Sequence, residues 1–179
     1  MRKHAGFTLI ELLVTVSIIA ILAALAAPSI GQSLANQRVK QAAFDLNAAF
    51  SQARYQAAML RRPVELVFNS DGWYIALTET ATDSDRFQNF NKNAYNVITK
   101  STTSSNLRFM PTGNVLVGSS TSGTKTYTAL TTTLVFRVCD SGTNGEKGYT
   151  ILLSPFGTSR ITLGPVTITG DTVGSQSCT

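Results

Sequence analysis

The sequence predicts an α+β chain: one long N-terminal helix, hydrophobic in its first half and amphipathic in its second, packed on a C-terminal antiparallel β-sheet domain. Three observations carry this expectation. Residues 12–37 hold no charge, and between residues 12 and 27 only Thr15 and Ser17 are polar. From residue 35 to residue 60 the apolar residues recur at three- and four-residue steps, the period of one helix face. Beyond that the chain becomes rich in Gly, Ser and Thr; between residues 99 and 133, 17 of 35 residues are Ser or Thr, which suits exposed strand faces and loops. With 179 residues and 43% hydrophobic residues the chain can close one core, and its 14% charged residues exclude an acidic disordered chain or a Glu/Lys-rich coiled coil.

The elements follow in order. Residues 12–27 read as a segment for lipid or for the core of an assembly. Ala35, Val39, Ala42, Leu46, Phe50, Ala53, Ala57 and Leu60 then form one stripe, with Arg38, Gln41, Asp45, Gln52, Arg54 and Arg61 on other faces. Pro63 stops the helix and pushes Arg62 toward extended geometry, so one helix is expected over residues 7–62. Residues 64–68 and 73–78 alternate about the turn Asn69-Ser70-Asp71-Gly72 and read as a hairpin. Residues 80–96 read as a polar loop. Further strands are expected at 107–110, 114–117, 129–138, 149–153 and 161–168.

Composition also bounds the chemistry. The one histidine is His4, in the basic start Met1-Arg2-Lys3-His4-Ala5-Gly6. A chain that loses this start has no imidazole, which excludes Ser-His-Asp and Cys-His catalysis and histidine-ligated metals. No catalytic residue, cofactor or metal is therefore expected. Cys139 and Cys178 can close one disulfide in an oxidising compartment or remain two buried thiols; the membrane-inserting start favours the bridge.

Glu11 heads the apolar segment. A carboxylate costs about 2.5–3.5 kcal/mol at the centre of a membrane helix and less near the interface. A charge kept there points to a positive partner, from its own chain or a neighbour.

At these residues the sequence resembles a known family. Gly6-Phe7-Thr8-Leu9-Ile10-Glu11, after a basic start and before an apolar run, is similar to the processing site of type IV pilins and type II secretion pseudopilins. The resemblance implies a leader of residues 1–6, cut between Gly6 and Phe7 by prepilin peptidase, with N-methylation of Phe7. It implies that residues 7–28 are the transmembrane or filament-core part, that Glu11 serves assembly, and that Pro28 and Gly31 sit where relatives break or melt the helix. Residues 63–179 would form a periplasmic β domain. Loss of Arg2 and Lys3 takes the charge from +5 to 13 − 10 = +3.

The rest of the chain resembles the GspH/FimT/FimU branch of pseudopilins and minor pilins. The similar features are Ser51-Gln52-Ala53-Arg54-Tyr55-Gln56-Ala57-Ala58 before Arg61-Arg62-Pro63-Val64, then Gly72-Trp73, Leu107-Arg108-Phe109 before Gly113, and Cys139-Asp140. The branch implies a single-pass inner-membrane protein that joins other minor pilins or pseudopilins in a filament, at its tip. The role is in initiating a type IV pilus or, alternatively, in a secretion pseudopilus.

Three further motifs have plainer readings. Residues 118–126 nearly spell a phosphate-binding loop, but the lysine is one place late and a strand follows, so a strand connection is the plainer reading. Asp83-Ser84-Asp85 lacks the third acid and the glycine of a calcium loop. Some relatives bind DNA through a late Gly-Arg-x-Arg turn; here Gly157-Thr158-Ser159-Arg160 keeps only the outer two residues. Arg160 and Lys147 are candidate DNA contacts, joined by Lys125 and Arg137 only if the fold gathers them, because one arginine supplies little counterion release. A tight turn before the last strand explains the same residues.

Overall fold

The computed structural model describes residues 7–69, 71–77, 86–91, 97–101, 106–121, 124–140 and 148–164. The chain divides into two units, Met1–Asn36 and Gln37–Thr179. Helix α1 runs over Leu9–Leu60. Arg61 follows in the left-handed region at φ 49°, the position that closes many helices and usually holds glycine. Pro63 then blocks any continuation.

Ten strands follow: β1 Val64–Phe68, β2 Gly72–Ala76, β3 Arg86–Asn91, β4 Val97–Ser101, β5 Leu107–Phe109, β6 Val115–Thr121, β7 Thr124–Ala129, β8 Leu134–Asp140, β9 Tyr149–Leu153 and β10 Ser159–Leu163. They make two antiparallel sheets rather than one, with orders β3-β2-β1-β5-β6-β7 and β10-β9-β8-β4. The chain enters the second sheet at β4, returns for β5 to β7, and ends there with β8 to β10.

The core lies in the second unit, where residues of α1 meet both sheets. Val39, Ala42, Ala43, Leu46, Ala49, Phe50, Ala53 and Ala57 are buried, as the three–four spacing requires. Alternation sends Val64, Leu66, Trp73, Ile75, Leu107, Phe109 and Val115 inward from the first sheet, and Phe136, Val138, Ile151 and Leu153 from the second. The Phe50 ring joins the layers: its centroid lies 6.5 Å from Phe109 and 5.0 Å from Phe136. The ends of the expected stripe differ, since Ala35 is half-buried and Leu60 is 42% exposed. Leu60 falls in the last helical turn, past the residues that meet the core.

The hairpin of β1 and β2 forms as expected, closed by Asn69, whose Oδ1 accepts the N–H groups of Asp71 and Gly72 at 3.1 and 2.7 Å. Strand β3 lies inside the stretch read as a polar loop. The single strand expected over 129–138 is two: β7 ends at Ala129 on the first sheet, and β8 begins at Leu134 on the second, with Thr131-Thr132-Thr133 between them. The phosphate-loop look-alike falls within the antiparallel pair β6–β7, whose register runs from Leu116↔Ala129 to Thr121↔Thr124. Asp83 to Asp85 and residues 165–168 of the last expected strand lie outside the described residues.

Candidate assembly surface

The first unit offers apolar side chains on every side of its helix. Phe7 is 81% exposed and Leu9 82%, and Ile10, Leu12, Leu13, Val16, Ile19, Ile21, Leu22 and Leu25 are exposed in turn. A helix apolar all round is stable only when surrounded by lipid or protein. Its polar residues are satisfied locally: Thr15 Oγ1 donates to the Leu12 carbonyl at 2.8 Å and Ser17 Oγ to the Leu13 carbonyl at 2.8 Å. That removes the penalty of an unpaired hydroxyl in an apolar medium. Among the described residues no single helix is long and apolar enough to cross a membrane; Leu9–Leu25 and Ile30–Leu60 meet that requirement only together, as a bent pair. Pro28 lies within α1, and the backbone stays helical on both sides of it.

Thr8 caps this helix. Its Oγ1 accepts the N–H of Glu11 at 3.3 Å, and its carbonyl accepts the N–H of Leu12 at 3.2 Å. Thr8-x-x-Glu11 has the spacing of a capping box, a helix-start signal carried by the sequence itself. Glu11 therefore stands in the first turn, where the helix dipole favours a carboxylate, and its side chain is exposed. Gly6 lies outside the described residues.

The late glycine turn proves to be a packing device. Ser154 and Thr158 close it: the Ser154 N–H donates to the Thr158 carbonyl at 2.9 Å, and their hydroxyls lie 2.6 Å apart. Gly157 has φ 71°, and a Cβ there would sit 3.1 Å from the Gly113 carbonyl oxygen and 3.3 Å from Arg54 Cδ. So Gly157 is needed where two turns meet the helix. Arg160 is exposed on β10. Arg137 is 2% exposed and donates to Thr150 Oγ1 at 3.1 Å, so it is withdrawn from any surface cluster. Burial pushes its guanidinium below the usual arginine range. Lys147 lies outside the described residues. Cys139 is 1% exposed on β8, and Cys178 lies outside the described residues.

The fold brings together one further polar constellation. Glu65 and Arg108 are opposed across β1 and β5; Arg108 Nε donates to Glu65 Oε1 at 3.0 Å, with Glu65 3% exposed. The Arg108 guanidinium lies 3.5 Å from the Tyr127 ring centroid, and that ring covers the side of Gly118 where a Cβ would lie 3.0 Å from Tyr127 Cε1. The pairing depends on β5 lying beside β1, a neighbourhood that spacing along the chain does not reveal. Among the described residues no group of three or more His, Cys, Asp or Glu could hold a metal ion.

An apolar helix headed by a capped glutamate, and a two-sheet domain closed over the helix's second half, define a pilin-like subunit. Two family models agree: the prokaryotic N-terminal methylation motif matches residues 1–27, and type II transport protein GspH matches residues 42–157. The second spans well over half of the chain, which therefore belongs to the GspH family. None of the curated proteins matches it. Among solved structures, the chain is similar to the type IV minor pilin FimU of Pseudomonas aeruginosa in two crystal forms. In the P65 form the identity is 20% and the TM-score 0.54, covering 78% of this chain and 99% of that one. In the P21 form the values are 21% and 0.55, covering 80% and 96%. At this identity the likeness establishes the fold.

Proposed function

We propose that this chain is a minor type IV pilin that takes part in starting pilus assembly and stands at the pilus tip. The observation that carries the reading is the exposed, charge-free apolar stretch of α1 that Glu11 heads, on a β domain with the fold of minor pilin FimU. Such a helix needs surroundings first in the inner membrane, as a single span with the β domain in the periplasm, and then among the helices of other minor pilins. Prepilin peptidase would cut between Gly6 and Phe7 and methylate the new amine. Once the chain starts at Phe7, that amine can meet a carboxylate four residues on, in its own chain or a neighbour's. Only the second pairing rewards joining a filament, because the desolvated pair is charge-assisted.

The GspH family match supports a second reading, a pseudopilin of a type II secretion system. A DNA-receptor role finds less support: of Arg137 and Arg160, only Arg160 is exposed.

The test uses epitope-tagged full-length variants, sheared fibres and the membrane fraction. Glu11→Val leaves processing and insertion intact and removes the subunit from the fibre fraction. Glu11→Gln is the sharper variant, because a capping box accepts Gln as well as Glu. It keeps the helix start and loses the charge, so it too is expected to drop out of fibres. Gly6→Val instead leaves an uncut membrane protein. Recovery of Glu11→Gln in fibres at wild-type abundance would assign Glu11 to capping and overturn its role in charge pairing.

A further inference from the structure

The second unit gathers apolar and cationic side chains where it begins. Arg38 is the first charge after Glu11, and it and Lys40, both exposed, flank the buried Val39 on α1. One turn on, Phe44 is 47% exposed, with the Lys40 ammonium 5.9 Å from its ring centroid. The Phe44 ring meets Tyr149 edge-on, centroids 6.2 Å apart. Tyr149 opens β9 opposite Leu163, the last residue of β10, so their side chains share one face of the second sheet. Leu163 is 73% exposed on that face. Two acids stand near: Asp45 follows Phe44, and Asp140 ends β8 two residues past Val138, the partner of Tyr149. Both are half-buried, and neither is free.

We propose that this patch, Arg38, Lys40, Phe44, Tyr149 and Leu163, docks on the anionic phospholipid surface of the membrane; the proposal rests on the single-span reading above. Three features select that surface. The first is reach. From Glu11 to Arg38 is 27 residues, at most about 40 Å of helix, and a bilayer with its headgroups is about 40–45 Å thick. A span with Glu11 in one headgroup layer therefore carries Arg38 and Lys40 no farther than the other. The second is composition. Exposed Leu and Phe beside Lys and Arg suit an interface, where apolar groups enter the acyl boundary and cations meet lipid phosphates. The third is charge. Two cations are too few to hold nucleic acid, but they suffice on a surface to which the chain is already tethered.

The experiment reconstitutes the full-length chain into vesicles of phosphatidylcholine, alone or mixed with phosphatidylglycerol. Bromine near the headgroup end of the acyl chains quenches any tryptophan that docks. Leu163→Trp reports on the patch, and the native Trp73 is buried and supplies a constant background. Phe156→Trp is the control, since β10 separates that exposed turn residue from the patch by about 16 Å. Quenching is expected at position 163 in the anionic vesicles and not at position 156. Arg38→Gln combined with Lys40→Gln is expected to lower the docked-to-free ratio by about tenfold or more, and omission of phosphatidylglycerol to do the same. An unquenched position 163 overturns the proposal, as does equal quenching at both positions. Quenching at position 163 that ignores both the Gln pair and the lipid charge also overturns it, because the contact would owe nothing to the headgroups. A wild-type chain that fails to float with the vesicles is a separate outcome, which defeats the single-span reading and this proposal with it.

Discussion

At the scale of single residues, the most exacting environment is that of Glu65. Its carboxylate is buried in β1, Oε1 accepts from Arg108, and Oε2 has no hydrogen-bond partner among the described residues. Arg108 is held in turn by its stack on Tyr127. Removing one partner of a buried ion pair strands the other, whereas replacing both with apolar residues of similar volume is often neutral. Because Arg108 keeps about a third of its side chain in solvent, Arg108→Ala is expected to destabilise the protein by about 2–4 kcal/mol, at the lower side of the range for fully buried pairs. The double variant Glu65→Leu with Arg108→Leu is expected to recover most of that loss. Chemical denaturation of the detergent-solubilised full chain measures both; a single-variant loss under about 0.5 kcal/mol would mark the pair as an ordinary surface bridge.

At the scale of elements, the close meeting of the β5–β6 turn, the β9–β10 turn and α1 makes a second prediction. Gly157 combines a positive φ with contacts of 3.1 to 3.4 Å on three sides, whereas Gly164 has φ 83° and nothing within 4 Å of a Cβ. Replacing either by Ala costs about 1–2 kcal/mol, because in the left-handed region a Cβ crowds the following carbonyl oxygen. Gly157→Ala is expected to cost about 1–2 kcal/mol more than Gly164→Ala, because carbonyl and side-chain atoms must also shift. Equal melting temperatures for the two variants would contradict the packing role given to Gly157. Much at this scale was legible in the sequence. The stripe from Val39 to Ala57, the stop at Pro63 and the Asn69 turn are local signals, and each lies where spacing put it. The strands β3 and β7 were not legible, for a physical reason, whereas Val97-Ile98-Thr99 of β4 carries an ordinary β-branched strand signal. Arg86-Phe87-Gln88-Asn89-Phe90-Asn91 and Thr124-Lys125-Thr126-Tyr127-Thr128-Ala129 are poor in β-branched apolar residues or mostly polar. As outermost strands of their sheet they are fixed by backbone pairing to one neighbour, not by a buried face. The break at Thr131 to Thr133 was hidden because both sheets contribute to one core, so the apolar signal resumes directly on the other side. The N-terminal site was legible as a motif, and its helix-capping part followed from a spacing that any capped helix shares.

At the scale of the whole molecule, two features decide whether the account holds. We propose that Cys139 and Cys178 form a bridge that ties the C-terminus to β8; Cys139 is buried on that strand. Closing a loop of about 40 residues is worth roughly 3–4 kcal/mol in the chain-entropy model. Thiol labelling of the denatured, unreduced protein is expected to find no free cysteine, and labelling of both would refute the bridge. The second feature is maturation, on which the assembly reading depends. The proposed cleavage after Gly6 would remove Arg2 and Lys3 and leave the amine of Phe7 four residues before Glu11. The direct measurement is mass spectrometry of the N-terminal peptide of this chain from sheared, purified filaments. The expected result is a chain that begins at N-methylated Phe7 and is present in that fraction. A chain that begins at Met1, or one processed but confined to the membrane and missing from the filaments, would contradict it.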